Sequence, residues 1–276
     1  MTKPLTHCFK YHFIVLLAAT GLAVSARADS PGTKTPSLAG ELRPIIDRVQ
    51  AKSQNAAITE KDLAAELQDL DALMAKHKGE TGDQSAQILF TKAHIYSEVL
   101  RDQKTYAQIA GQIQHDYPDS KPAAALKRQE ESDQIRAKLV AGVVFPDFNQ
   151  ADISGQARSI SAYKGKILLV DFWATWCGPC VHELPNVQHV YEKYHDQGFE
   201  VLSISFDKAP EKLKDYIEEH KLLWPQILDG ENHPLGAQYG VVAIPTTFLI
   251  DREGKLITKN VRGEALEKAV VEALAK

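Results

Sequence analysis

The chain has 276 residues, with 32 Lys and Arg against 36 Asp and Glu, 44% hydrophobic residues and three cysteines. This balance lies in the globular range, excludes a fibre or a disordered polymer, and leaves room for one large domain or two modest ones. The acidic excess argues against nucleic acid and anionic membrane surfaces as partners.

The N-terminus reads as a targeting segment. Lys3 and Lys10 precede the apolar run FIVLLAATGLAV, and Ser25-Ala26-Arg27-Ala28 supplies a small-residue cleavage pattern. The run is about a dozen residues, short of the roughly 20 that a spanning helix needs. Residues 1–28 are therefore expected to be a signal peptide, and the exported, periplasmic chain to have no stable membrane insertion. An uncleaved membrane anchor is the alternative. Cleavage removes Lys3, Lys10 and Arg27, leaving 29 basic against 36 acidic side chains and a net charge near −7. It also removes Cys8, so Cys177 and Cys180 alone remain.

Residues 29–37 combine Pro, Gly, Ser and Thr without apolar periodicity and are expected to be a linker. Residues 38–140 follow a helical pattern and form an all-helical domain. Leu63, Leu67, Leu70, Leu73 and Met74 recur at three- and four-residue spacing behind Thr59, a fitting N-cap. The stretch AQILFTKAHIYSEVLRDQKTYAQIAGQIQHDYPDS resembles one tetratricopeptide-type hairpin, and an ordinary helical bundle explains it equally well.

The pattern changes after Leu139, and residues 141–276 form a second, α/β domain. ILLVDFW is a continuous apolar run suited to a central strand buried on both faces. EVLSISF (200–206) and TTFLID (246–251) are further strands, with helical stretches at 210–222 and around 234–239. Asp251-Arg252-Glu253-Gly254 is a turn that folds residues 255–261 back antiparallel, and residues 264–275 make a last amphipathic helix. Strands alternating with helices in this way mean a sheet covered by helices.

The strand ILLVDFW runs into ATWCGPC. A haem anchor needs His directly after the second cysteine, and Val181 stands there, with His182 one place too late. A structural zinc site needs further ligands at defined spacing. The mature chain has no other cysteine, and His182, His189 and His195 read as solvated helix residues, so no metal is expected. As a staple, a disulfide closing so short a loop restricts the unfolded chain little. Redox chemistry fits better. A C-x-x-C at a strand-to-helix junction puts the first cysteine at a helix N-terminus, where unpaired N–H groups and the macrodipole favour a thiolate. Cys177 is then the nucleophile. Cys180, one turn on and on the same face, resolves the mixed disulfide, and Pro179 suits the first turn because its missing N–H had no partner there.

Trp176-Cys177-Gly178-Pro179-Cys180 resembles the active site of thioredoxins. The wider pattern of Lys164-Gly165-Lys166, FWATWCGPC and a downstream Ile244-Pro245-Thr246 resembles the exported TlpA/ResA branch of the redoxin superfamily, over residues 142–276. The resemblance implies a thioredoxin fold, a central mixed sheet flanked by helices, and no cofactor. It implies that Pro245 is a cis-proline facing the disulfide, with the backbone around Ile244 and Thr246 receiving a substrate strand. Asp171 matches the buried acid that relays the proton of Cys180, and burial is expected to raise its pKa. Glu183 matches the acid that tunes both thiols, a solvated first-turn glutamate being the plainer alternative. Trp176, Gly178 and Pro179 line the substrate contact, while Trp173 belongs to the aromatic frame or only to the core. Many ResA-type chains carry a neutral residue at the position of Asp171, so which acid dominates is open. Ala174, three residues before Cys177, replaces the Thr or Ser of the peroxiredoxin branch and argues against peroxidase activity.

Gly-Pro between the cysteines resembles reducing thioredoxins. The gap between thioredoxin, near −270 mV, and a strong periplasmic oxidase, near −120 mV, is roughly 7 kcal/mol of relative disulfide stability. The expected function is an exported reductase of protein disulfides. Its partners are a disulfide-containing client protein and a membrane thiol electron donor. The alternatives are a disulfide oxidase or isomerase, or a binding module in which the helical region captures a partner and the α/β domain is a docking platform.

Overall fold

A computed structural model describes residues 37–54, 58–78, 82–230 and 232–276. The expected signal peptide and all but the last residue of the linker lie outside the described residues. Two compact units divide between Arg128 and Gln129.

The first unit is helical. Helix α1 (Leu38–Ser53) starts at Ser37, whose Oγ accepts the Gly40 N–H, and buries Leu42, Ile45, Ile46 and Val49. Thr59 opens the next helix through Asp62, whose carboxylate accepts the Thr59 N–H at 2.9 Å and its hydroxyl at 2.6 Å. A 3₁₀ turn (Glu60–Leu63) then leads into α2 (Ala64–Lys76). The apolar stripe falls as its spacing requires: Leu63, Leu67 and Leu70 are buried, with Leu73 and Met74 packed at the edge of that core. Glu66 sits among them. Burial pushes its carboxyl up, but the Lys52 ammonium, backed by Arg48, holds it below the ordinary value. The expected hairpin is α3 (Gly82–His94), extended by a π turn (Ile95–Val99), and α4 (Gln103–Asp116), which Asp102 caps. The tetratricopeptide resemblance rests on that hairpin alone.

Helix α5 (Lys121–Lys138) runs through the division between the units. Its last turns belong to the second unit because Ile135 and Leu139 pack in that unit's core and Arg136 donates to the Gly240 carbonyl at 3.1 Å.

In the second unit a short hairpin, β1 (Gln150–Ala151) with β2 (Ala157–Arg158), precedes a five-stranded sheet of order β5-β4-β3-β6-β7. Central strand β3 (Ile167–Trp173) is buried at every residue, which is why its sequence, Asp171 apart, is apolar without alternation. It pairs in parallel with β4 (Phe199–Ser205) and antiparallel with β6 (Thr246–Ile250). A parallel pair needs a crossover. Helix α6 (Gly178–Tyr194) supplies it between β3 and β4, and α7 (Pro210–His220) does so between β4 and β5 (Gln226–Leu228). After the short α8 (Pro234–Gln238), β6 and β7 (Leu256–Lys259) form the antiparallel edge, and α9 (Glu264–Leu274) closes the unit against β3 and α6. The strand β5 has no counterpart in the sequence reading. It is three residues long and begins with a buried glutamine, and its strand character comes from pairing with Ser203 to Ser205.

Candidate active site

The site forms where β3 runs out. Register pairs Phe172 with Thr246, so Pro245 lies beside the end of β3 that continues through Ala174 to Cys177. The Ile244–Pro245 peptide is cis, and Thr246 Oγ1 donates to the Ala243 carbonyl at 2.7 Å to hold the turn. Ile244 and Thr246 are half-buried and Pro245 is buried.

Cys177 is the N-cap of α6, and its backbone N–H closes a turn onto the Ala174 carbonyl at 3.1 Å. Its Sγ is bonded to that of Cys180 and accepts the Cys180 N–H at 3.3 Å. Both sulfurs therefore sit in the first turn of a 17-residue helix, where unpaired N–H groups and the macrodipole stabilise a thiolate. Gly178 and Pro179 between them are exposed. Both cysteines are buried, Cys177 at 6% exposure and Cys180 at 2%, so the first is the slightly more open residue. The two tryptophans part company. Trp176 is 65% exposed, whereas Trp173 is fully buried and donates from Nε1 to Gln226 Oε1 at 3.0 Å. Trp173 is core.

Asp171, on β3 between Ser203 of β4 and Thr247 of β6, is buried. Burial, reinforced by the negative Glu183, pushes its carboxyl up to about 7, against the opposing pull of Arg262 and a hydrogen bond with Ser203. Glu183 lies on α6 and is not a free first-turn glutamate. Its Oε1 accepts the Gly263 N–H at 2.7 Å and Asn186 Nδ2 at 2.8 Å, fixing the carboxylate between α6 and the loop before α9.

Two further residues belong to this environment and were not read from the sequence. Asp207 is buried just past β4 and accepts the Thr175 N–H at 2.9 Å and the Thr175 hydroxyl at 2.7 Å, gripping the loop that carries Trp176 and Cys177. Arg262 donates from Nη2 to the Pro245 carbonyl. Neither has a motif around it. The acid in ISFD, directly after an apolar strand, was the available signal for Asp207, and Arg262 offered none.

A mixed sheet with a dithiol at the N-terminus of the helix after its central strand, and a cis-proline entering the adjacent antiparallel strand, defines a redox protein of the thioredoxin fold. A family model described as the AhpC/TSA family matches residues 141–259. The thiol-disulfide oxidoreductase ResA of Bacillus thuringiensis subsp. konkukian is 32% identical over 139 residues, 50% of this chain and 79% of the relative. ResA of Geobacillus thermodenitrificans is 35% identical over 121 residues, 44% of this chain and 69% of the relative. Among solved structures, the thioredoxin domain of a thiol-disulfide oxidoreductase from Bacteroides vulgatus is 35% identical with a TM-score of 0.45, covering 49% of this chain and 97% of that one. A thiol:disulfide interchange protein from a Bacteroides species is 33% identical with a TM-score of 0.46, covering 50% and 93%. The chain belongs to the ResA family, and the protein is a thiol-disulfide oxidoreductase.

Proposed function

We propose that the protein is an exported reductase of protein disulfides. The observation that carries this reading is the Cys177–Cys180 disulfide at the start of α6, with the more open cysteine first and a buried acid on the preceding strand. In the reduced protein the Cys177 thiolate attacks one sulfur of a client disulfide. The client S–S bond breaks, a mixed disulfide forms, and the departing client sulfur takes up a proton. Asp171 accepts the proton of Cys180, whose thiolate then attacks Cys177 Sγ. The mixed disulfide breaks, the second client sulfur leaves and is protonated, and the Cys177–Cys180 disulfide re-forms. Two electrons have passed to the client together with two protons, one drawn from solvent and one released by Cys180 through Asp171. A carboxyl ionising near pH 7 suits this task because it can both accept and release a proton at neutral pH.

In this reading burial, with Glu183 adding to it, keeps the Asp171 carboxyl high. The backbone around Ile244, Pro245 and Thr246 receives an extended client segment, and Trp176, Gly178 and Pro179 form the exposed rim beside it. The segment 1–28 exports the chain, a thiol donor in the membrane re-reduces the dithiol, and the helical unit that ends at Arg128 selects the client. Among the described residues, no helix is long and apolar enough to cross a membrane.

The test is the equilibrium reduction potential of the Cys177/Cys180 pair against a thiol buffer. A reductase is expected near −270 mV. A value near −120 mV reverses the direction of electron flow and makes the protein an oxidase or isomerase.

A further inference from the structure

The loop between β7 and α9 reaches two parts of the site through consecutive residues. Arg262 donates to the Pro245 carbonyl. Gly263 next to it donates its N–H to Glu183 Oε1 at 2.7 Å and accepts Asn186 Nδ2 at its carbonyl at 3.2 Å. One loop thus holds the proline segment that enters β6 and the helix that carries both cysteines. Around Asp171, α6 presents Glu183, β4 presents Ser203, β6 presents the neutral Thr247 and this loop presents Arg262. Arg262 is the positive charge that opposes Glu183 in its effect on the buried Asp171 carboxyl.

We propose that Arg262 is a positioning residue for the thiol–disulfide reaction, holding the Pro245 carbonyl and setting its charge toward the buried Asp171 through one guanidinium. The proposal rests on the roles given above to Asp171 and Pro245. Its two actions are separable because arginine and lysine differ. Both carry the charge, but the guanidinium spreads it over a plane of several donors, so one nitrogen holds the carbonyl while the charge still reaches Asp171. Removing the charge leaves the repulsion of Glu183 unopposed, so Asp171 ionises later and accepts the Cys180 proton only at higher pH. The side chain of Arg262 is exposed, and solvent screening limits the shift to the lower end of what a neighbouring charge produces.

The experiment follows the Asp171 carboxyl by ¹³C NMR in the oxidised protein, where neither cysteine titrates, with Asp171→Asn identifying the resonance. Arg262→Gln is expected to raise the midpoint by about one pH unit. Arg262→Lys is expected to leave it within a few tenths of the wild-type value, because the charge is kept. In parallel, with dithiothreitol as reductant and insulin as the disulfide probe, both variants are expected to raise KM several-fold, since both lose the guanidinium hydrogen bond to the Pro245 carbonyl. An unchanged midpoint in Arg262→Gln, an equal rise in Arg262→Lys, or an unchanged KM in both variants overturns the proposal. Failure of the underlying reading looks different. In that case Asp171→Asn keeps the wild-type pH dependence of insulin reduction, whatever Arg262 does to the titration.

Discussion

Replacing Asp171 with Asn offers a direct measure of how strongly the site is loaded. A raised acid favours the protonated native state. Its contribution to stability is complete below the unfolded pKa near 3.8 and is lost as pH rises through the folded value of about 7. Each pH unit between those values corresponds to 1.36 kcal/mol, so ionising this carboxyl makes folding ~4 kcal/mol less favourable above pH 7 than below pH 4. Asparagine has nearly the same shape as the protonated acid and never ionises. Denaturant unfolding of the oxidised proteins between pH 4 and pH 8.5 is expected to give near-equal stabilities at pH 4. Over the same range the variant is expected to gain by ~4 kcal/mol at pH 8, with the difference opening between about pH 4 and 7. A difference that stays within about 1 kcal/mol over the whole range would refute the burial argument, because it would mean that Asp171 ionises at no cost inside the sheet. The same substitution is expected to slow reduction of a client disulfide at neutral pH, so a more stable protein would be a worse enzyme.

The other expectations use the contrast between neighbouring residues. Cys180→Ser is expected to stop turnover after the first attack and to accumulate a client joined to Cys177, visible as a reducible adduct by mass spectrometry, while Cys177→Ser forms no such adduct. Trp173→Phe removes a fully buried ring edge and strands the Gln226 oxygen, at an expected cost of about 2–4 kcal/mol in chemical unfolding. Trp176→Ala touches no core and is expected to leave stability within about 0.5 kcal/mol while raising KM for a protein disulfide. Reversal of those two effects would invert the assignment of core and contact surface.

Those tryptophans also mark how far the sequence reaches. WCGPC after an apolar run placed a dithiol at a strand-to-helix junction because the chemistry is local, involving one turn of helix, two sulfurs three residues apart and a proline that needs no N–H. Strand β3 was equally legible, since a run of seven residues that is apolar everywhere but Asp171 has few other uses. The short elements were not. β5 and the β1–β2 hairpin carry too few residues for a period and exist through their partners. Glu183 was visible as a position six residues past Cys177, but nothing local distinguished a solvated side chain from one bound to Gly263, 80 residues away.

The sequence by itself determined the reactive pair, its helix-terminal setting, the central strand and the alternation that builds an α/β sheet, because each follows from neighbours within a few residues. Tertiary structure alone decided that Trp173 is core rather than part of a contact frame, which carboxylates meet, and that Asp207 and Arg262 belong to the site. The physical reason is range. Hydrogen bonds and charge interactions act over a few ångströms, and only the folded sheet brings β3, α6, the cis-proline segment and the loop before α9 within that distance.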